Sequence, residues 1–287
     1  MLRELLPAGA VAMASSPGEL AMACDAVPGT LEAALHSVWA KYVARSDADA
    51  DDEGCGEPVL EPIPPLLHTA TEKAEATFLS EQSDTRVATV YHAIRQIPYG
   101  GVGVRRTVEG VLEARCGSCS GKHMALTSLL ARLGHTVELL TLHCDFSAAV
   151  ALHAAAVSAE GALCNGALTR YNAAPVHDFH HVVRLTRPET DGGVYKVGGS
   201  VLLDATWPDC LAPHGFRVNT GWADGGDTQL AVPDTAIYQR IEAVSVAQLG
   251  PMKAELVATL PAAQAERRAA FFRDLLVWLT TLQQPAG

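Results

Sequence analysis

The sequence is poor in aromatic side chains, in positive charge and in long apolar runs. Phe, Trp and Tyr together make up 6% of the 287 residues, so aliphatic side chains and alanine must fill most of a core. Apolar residues reach 48%, which is ample for a packed interior. The formal charge of −11 excludes a nucleic-acid binder that works by meeting phosphates with a basic surface. No apolar run approaches the ~18 residues of a membrane-spanning helix, so no membrane partner is expected. A cleaved signal peptide is not expected either: Arg3 is followed by Glu4, and Pro7 interrupts the short apolar run. The seven cysteines (24, 55, 116, 119, 144, 164 and 210) are odd in number and scattered. That is no disulfide framework, and a cytoplasmic, reducing setting is the expectation. A second Cys-x-x-Cys for structural zinc is missing, and the acidic stretch 46–54 lacks the glycine-centred spacing of a calcium loop. No cofactor or metal is therefore expected, and no internal repeat shows.

What is present divides the chain into three. Residues 1–66 read as an N-terminal helical segment, with Leu31, Ala34, Leu35 and Val38 on one face, followed by an acidic, proline-rich linker. Residues 67–234 read as the core. Residues 235–287 read as a C-terminal helical segment packed on it, with Phe271, Leu275, Trp278 and Leu279 on one face and Pro261 at the start. Within the core, a helix carries Val87, Val90, Tyr91 and Ile94, capped by Ser83 or Asp84. Thr107 caps a short turn with Val108, Val111 and Leu112. Strands are expected at Thr136–Leu142, Val182–Leu185 and Val201–Ala205, with a hairpin strand at Val194–Val197. Residues 145–178 show no clear pattern. The fold class is α+β, a mostly antiparallel sheet packed against helices.

Three short stretches carry chemistry. Gly117-Ser118-Cys119 opens a helix with Leu126, Leu129, Leu130 and Leu133 at helical spacing and Gly134 at its stop. A thiol at a helix N-terminus meets the positive end of the helix dipole, which favours thiolate. Downstream come His180 and His181 on a strand, then Asp204-Ala205-Thr206-Trp207 at the end of the next. A cysteine, a histidine and an aspartate in this order suit a nucleophile, a base and an orienting acid. Neighbouring strand residues point to opposite faces, so only one of the two histidines is expected to meet the thiol. Cys116 and Cys119 also form a Cys-x-x-Cys, a redox dithiol in other settings. Here, however, a short helical turn and Arg115 precede it rather than a strand. Lys122, on the first turn, is expected to face solvent.

The ordered set from about Val87 to Trp207 resembles the transglutaminase-like domain of the papain-like superfamily. The resemblance rests on the helix ending near Tyr99, Gly117-Ser118-Cys119 opening a helix that closes at Leu133-Gly134, the His180 strand, and the Asp204-Ala205-Thr206-Trp207 strand end. It covers somewhat under half of the chain. It implies a transglutaminase-like core with catalytic Cys119, His180 and Asp204. His180 is preferred over His181 because Arg184 and Leu185 then fall where the family strand has a polar and an aliphatic residue. The implied chemistry is thiol-dependent hydrolysis or acyl transfer at an amide or acyl bond of a peptide, protein or small amide. Hydrolysis comes first because it needs no second substrate. A non-catalytic binding module of the same fold is the alternative. The chain departs from the family where an aromatic commonly follows two residues after the histidine: Val182 and Val183 stand there.

Overall fold

The computed structural model describes residues 69–82, 86–100, 107–150, 168–191, 194–223, 226–242 and 245–283. The expected N-terminal segment 1–66, the candidate caps Ser83 and Asp84, and residues 151–167 lie outside these. Among the described residues, four helices come first: α1 (Ala70–Ser80), α2 (Val87–Gln96), α3 (Val108–Ala114) and α4 (Cys119–Arg132). Then come β1 (Thr136–Asp145), β2 (His177–Asp191), β3 (Val194–Leu203) and β4 (Ile237–Glu242), and last α5 (Val246–Ala258) and α6 (Ala262–Leu282). The four strands form one antiparallel sheet in the order β3-β2-β1-β4. The architecture is α+β.

Local sequence explains most of these elements. Ser118 caps α4 by accepting from the Gly121 N–H, and Thr107 caps α3 by accepting from Gly110. Gly134 takes a φ of 86° and stops α4, a backbone region that suits glycine. The expected strands at Thr136–Leu142 and Val182–Leu185 are present but longer, whereas Val194–Val197 and Val201–Ala205 fall on a single strand that ends at Leu203. β2 begins at His177 rather than Val182, because Asp145 to Leu142 of β1 offer it partners back to that point. The C-terminal segment is not wholly helical: its first residues form β4, which satisfies the second edge of β1.

The interior has two main parts. Leu126, Leu129 and Leu130 of α4 join Phe179, Val183 and Leu203 of the sheet in one apolar cluster. Full burial of one such leucine stabilises by roughly 1.5–3 kcal/mol. A second cluster gathers Tyr99, Phe146, Tyr171, Trp207, Phe216, Phe271 and Trp278 with Cys119. Seven aromatics thus share one buried cluster with the thiol, and large rigid rings make that cluster dry.

The approach to the cysteine is held as a two-residue bridge. Gly117 N–H donates to Pro98 O, and Gly100 N–H to Gly117 O, both at 3.1 Å. A Cβ on Gly117 would stand 2.9 Å from Val111 Cγ2 and 3.2 Å from Lys122 Cγ. Gly117→Ala is therefore expected to destabilise the fold by about 1–3 kcal/mol, the usual cost of overpacking. Urea unfolding of the variant beside the parent measures it, and an unchanged midpoint contradicts this packing.

Candidate active site

Cys119 is the first residue of α4, where helical N–H groups lack intrahelical acceptors. Its side chain is buried, 2% exposed. β2 supplies the adjacent histidines, and the alternation of a strand separates them. His180 meets the Asp204 carboxylate, donating from Nε2 to Oδ2 at 2.9 Å. Its other nitrogen, Nδ1, is buried and finds no hydrogen-bond partner among the described residues. The Cys119 thiol faces this ring closely enough for each group to shift the other's protonation. His181 instead takes the Ser120 hydroxyl on Nδ1 at 3.0 Å.

Asp204 sits at the end of β3 and is over-determined. Oδ1 accepts from the Thr206 N–H at 3.0 Å and the Thr206 hydroxyl at 2.5 Å. Oδ2 accepts from the Ala231 N–H at 2.7 Å besides His180. Its own N–H donates to Thr228 Oγ1, and its carbonyl accepts from the Tyr91 hydroxyl. Asp204 therefore both ends its strand in a side-chain turn and holds the imidazole. Trp207, next along, packs on Tyr99 with ring centroids 4.8 Å apart.

The electrostatics favour an ion pair. Burial alone would raise the Cys119 pKa, but the Lys253 ammonium and His180 outweigh it, and the thiol is pushed down. Burial alone would lower His180, but the Asp204 carboxylate and the thiol outweigh it, and the imidazole is pushed up to about 10. Burial, Lys253 and His180 drive His181 well below the usual histidine value, so it stays neutral. The His180 charge and hydrogen bond outweigh the burial of Asp204, which lies well below the carboxylate range.

Two further residues of α4 support the site from beneath. His123 Nδ1 donates to Cys119 O at 2.8 Å, and its Nε2 accepts from the Ala205 N–H at 2.8 Å, which fixes a neutral tautomer. Lys122 does not face solvent as the sequence suggested: it is 0% exposed. Its ammonium donates to the carbonyls of Arg95, Ile97 and Thr206 at 2.8–2.9 Å. Burial pushes its pKa down to about 7, while the three acceptors use all three hydrogens of the charged form. Lys122 thereby ties α4 to the end of α2 and to the Asp204–Trp207 turn.

Sequence reasoning missed one sector altogether. Lys253 of α5 donates to Phe179 O at 2.6 Å and to Ser120 Oγ at 3.2 Å, and pairs with Asp178 Oδ2 at 3.4 Å. Arg268 of α6 pairs with the other Asp178 oxygen at 2.6 Å. Asp178 is wholly buried, and these cations outweigh the burial and hold its carboxyl far below its ordinary range. A capping box of Ser245 and Gln248 opens α5, a local signal absent from the expectations above, and nothing in the sequence links Lys253 to Cys119.

Among the described residues, no group of three or more His, Cys, Asp and Glu side chains is placed to hold a metal ion. No described helix is long and apolar enough to cross a membrane. The chain matches no protein-family model, no curated protein and no solved structure. Fold and site together define an α+β protein with a buried cysteine, a histidine and an aspartate aligned at a helix N-terminus.

Proposed function

We propose that the protein is a cysteine-nucleophile enzyme that cleaves or transfers an acyl group at an amide or related acyl bond, on a transglutaminase-like core. One observation carries the reading. His180 gives Nε2 to Asp204 and keeps Nδ1 buried, unpaired among the described residues and beside the Cys119 thiol. A buried ring nitrogen without a conventional hydrogen-bond partner is costly, and a proton held on that nitrogen against the Cys119 sulfur explains it.

The chemistry follows from the roles. His180 Nδ1 holds the proton of the Cys119 thiol, leaving a thiolate beside an imidazolium. The thiolate attacks the acyl carbon, and the carbonyl electrons move onto oxygen. The Cys119 N–H at the start of α4 suits that oxyanion, and the buried Tyr99 hydroxyl faces the same sulfur. Collapse breaks the carbon–nitrogen bond, and His180 gives its proton to the leaving amine. His180 then takes a proton from water as the water attacks the thioester, which releases an acid and restores the thiolate. A second amine in place of water gives transfer. Hydrolysis is the reading adopted, with a peptide, protein or small amide as substrate.

An activated ester tests this without knowledge of the substrate. Incubation with p-nitrophenyl acetate is expected to release a burst of nitrophenol stoichiometric with protein and to leave one acetyl group on Cys119 by peptide mass mapping. Cys119→Ser should remove the burst. Acetylation spread over surface lysines, unaffected by Cys119→Ser, contradicts the assignment.

A further inference from the structure

Lys253 lies between the two elements that carry the nucleophile and the base. On one side its ammonium reaches Ser120, the residue after Cys119, at 3.2 Å. Ser120 Oγ in turn stands 4.0 Å from the Cys119 sulfur. On the other side the ammonium reaches the carbonyl of Phe179, the residue before His180, at 2.6 Å. Its third contact is the buried carboxylate of Asp178 at 3.4 Å. Three donors thus meet three acceptors, and the side chain is 17% exposed, so solvent screens it poorly.

We infer that Lys253 is a positioning residue for Cys119 and His180: it fixes the spacing of α4 against β2 and supplies the positive charge that holds the thiolate. This rests on the acyl-transfer reading given above. One consequence concerns the organisation of the chain. The catalytic unit does not end with the Asp204 turn, because α5 brings Lys253 and α6 brings Arg268 to the buried Asp178. The C-terminal helices complete the site rather than merely covering it.

Several charged and titratable groups surround this point. Asp178, His180 and His181 come from β2, Arg268 from α6, His123 and Lys122 from α4, and Tyr99 and Asp204 from the flanking loops. Asp178 opposes Lys253 in its effect on the thiol. The two therefore make a pair of tests with opposite signs. Lys253→Gln keeps amide hydrogens for Ser120 and Phe179 but removes the charge. Asp178→Asn keeps the shape and frees the ammonium from its counter-charge.

The experiment is the pH dependence of iodoacetamide alkylation at Cys119 in the full chain, with circular dichroism of every variant. Lys253→Gln should shift the profile to higher pH by about one unit, a loss of about tenfold on its acid limb. Lys253→Arg should restore most of it. Asp178→Asn should shift the profile the other way, and Lys253→Met, which keeps the length of the side chain without its charge, decides the matter if Lys253→Gln fails to fold. A parent with a depressed thiol pKa whose profile neither Lys253→Gln nor Asp178→Asn moves overturns the inference but leaves the acyl-transfer reading intact. A parent that titrates as an ordinary thiol overturns the reading itself.

Discussion

His180→Ala should slow alkylation of Cys119 by about a hundredfold at a pH about two units below the ordinary thiol pKa of ~8.5, whereas His181→Ala should change it less than about tenfold. The asymmetry follows from opposite protonation. His180 is raised by the Asp204 carboxylate against its burial, so it carries the proton that the thiol gives up. His181 is held neutral by burial, Lys253 and His180, and its Nδ1 serves Ser120. The sign runs through the pair. The thiolate–imidazolium form persists from the lowered Cys119 pKa up to the His180 value of about 10. Without His180 the thiol keeps its full desolvation and loses one of its compensations, so its titration moves up. Equal effects of the two alanine variants contradict the geometry.

Asp204→Asn should cost both activity and stability. The carboxylate accepts four hydrogen bonds on its two oxygens, two from Thr206, one from Ala231 and one from His180. An amide has one oxygen, so its NH2 must face either the Thr206 donors or those of His180 and Ala231. Orphaning such buried, partly charged bonds costs about 2–4 kcal/mol. Loss of the imidazole orientation should slow acylation by about 10²–10⁴. Because the folded Asp204 pKa lies well below the unfolded value of ~3.9, its contribution is complete above that value. It is lost as pH falls toward the folded pKa. Urea unfolding across acid pH should therefore show a steeper loss in the parent than in Asp204→Asn. Parallel curves contradict the role of the carboxylate.

The candidate site was more legible than its surroundings, for physical reasons. Cys119, His180 and Asp204 announce themselves because each sits where local pattern is strong: a capped helix start, a strand, and a strand end followed by Thr206. The alternation of a strand says only that one of the two histidines faces the thiol, and the preference for His180 came from the resemblance, through Arg184 and Leu185. Lys122 misled because a lysine on a first turn usually faces solvent. Its three acceptors, Arg95, Ile97 and Thr206, lie 27, 25 and 84 residues from it, and no local pattern reveals them. β4 was missed because its pairing with β1 is a property of an open sheet edge nearly a hundred residues away. Lys253 was missed for the same reason: its charge matters only after α5 docks on β2.

The central claim is that Cys119 is a thiolate paired with His180 in the resting protein. Ultraviolet titration of the thiolate absorbance, taken as the difference between the parent and Cys119→Ser, tests it most directly. The account predicts a thiolate signal that survives well below the ordinary thiol pKa and that His180→Ala moves upward. A difference signal that rises only at or above the ordinary thiol pKa, unchanged by His180→Ala, contradicts it.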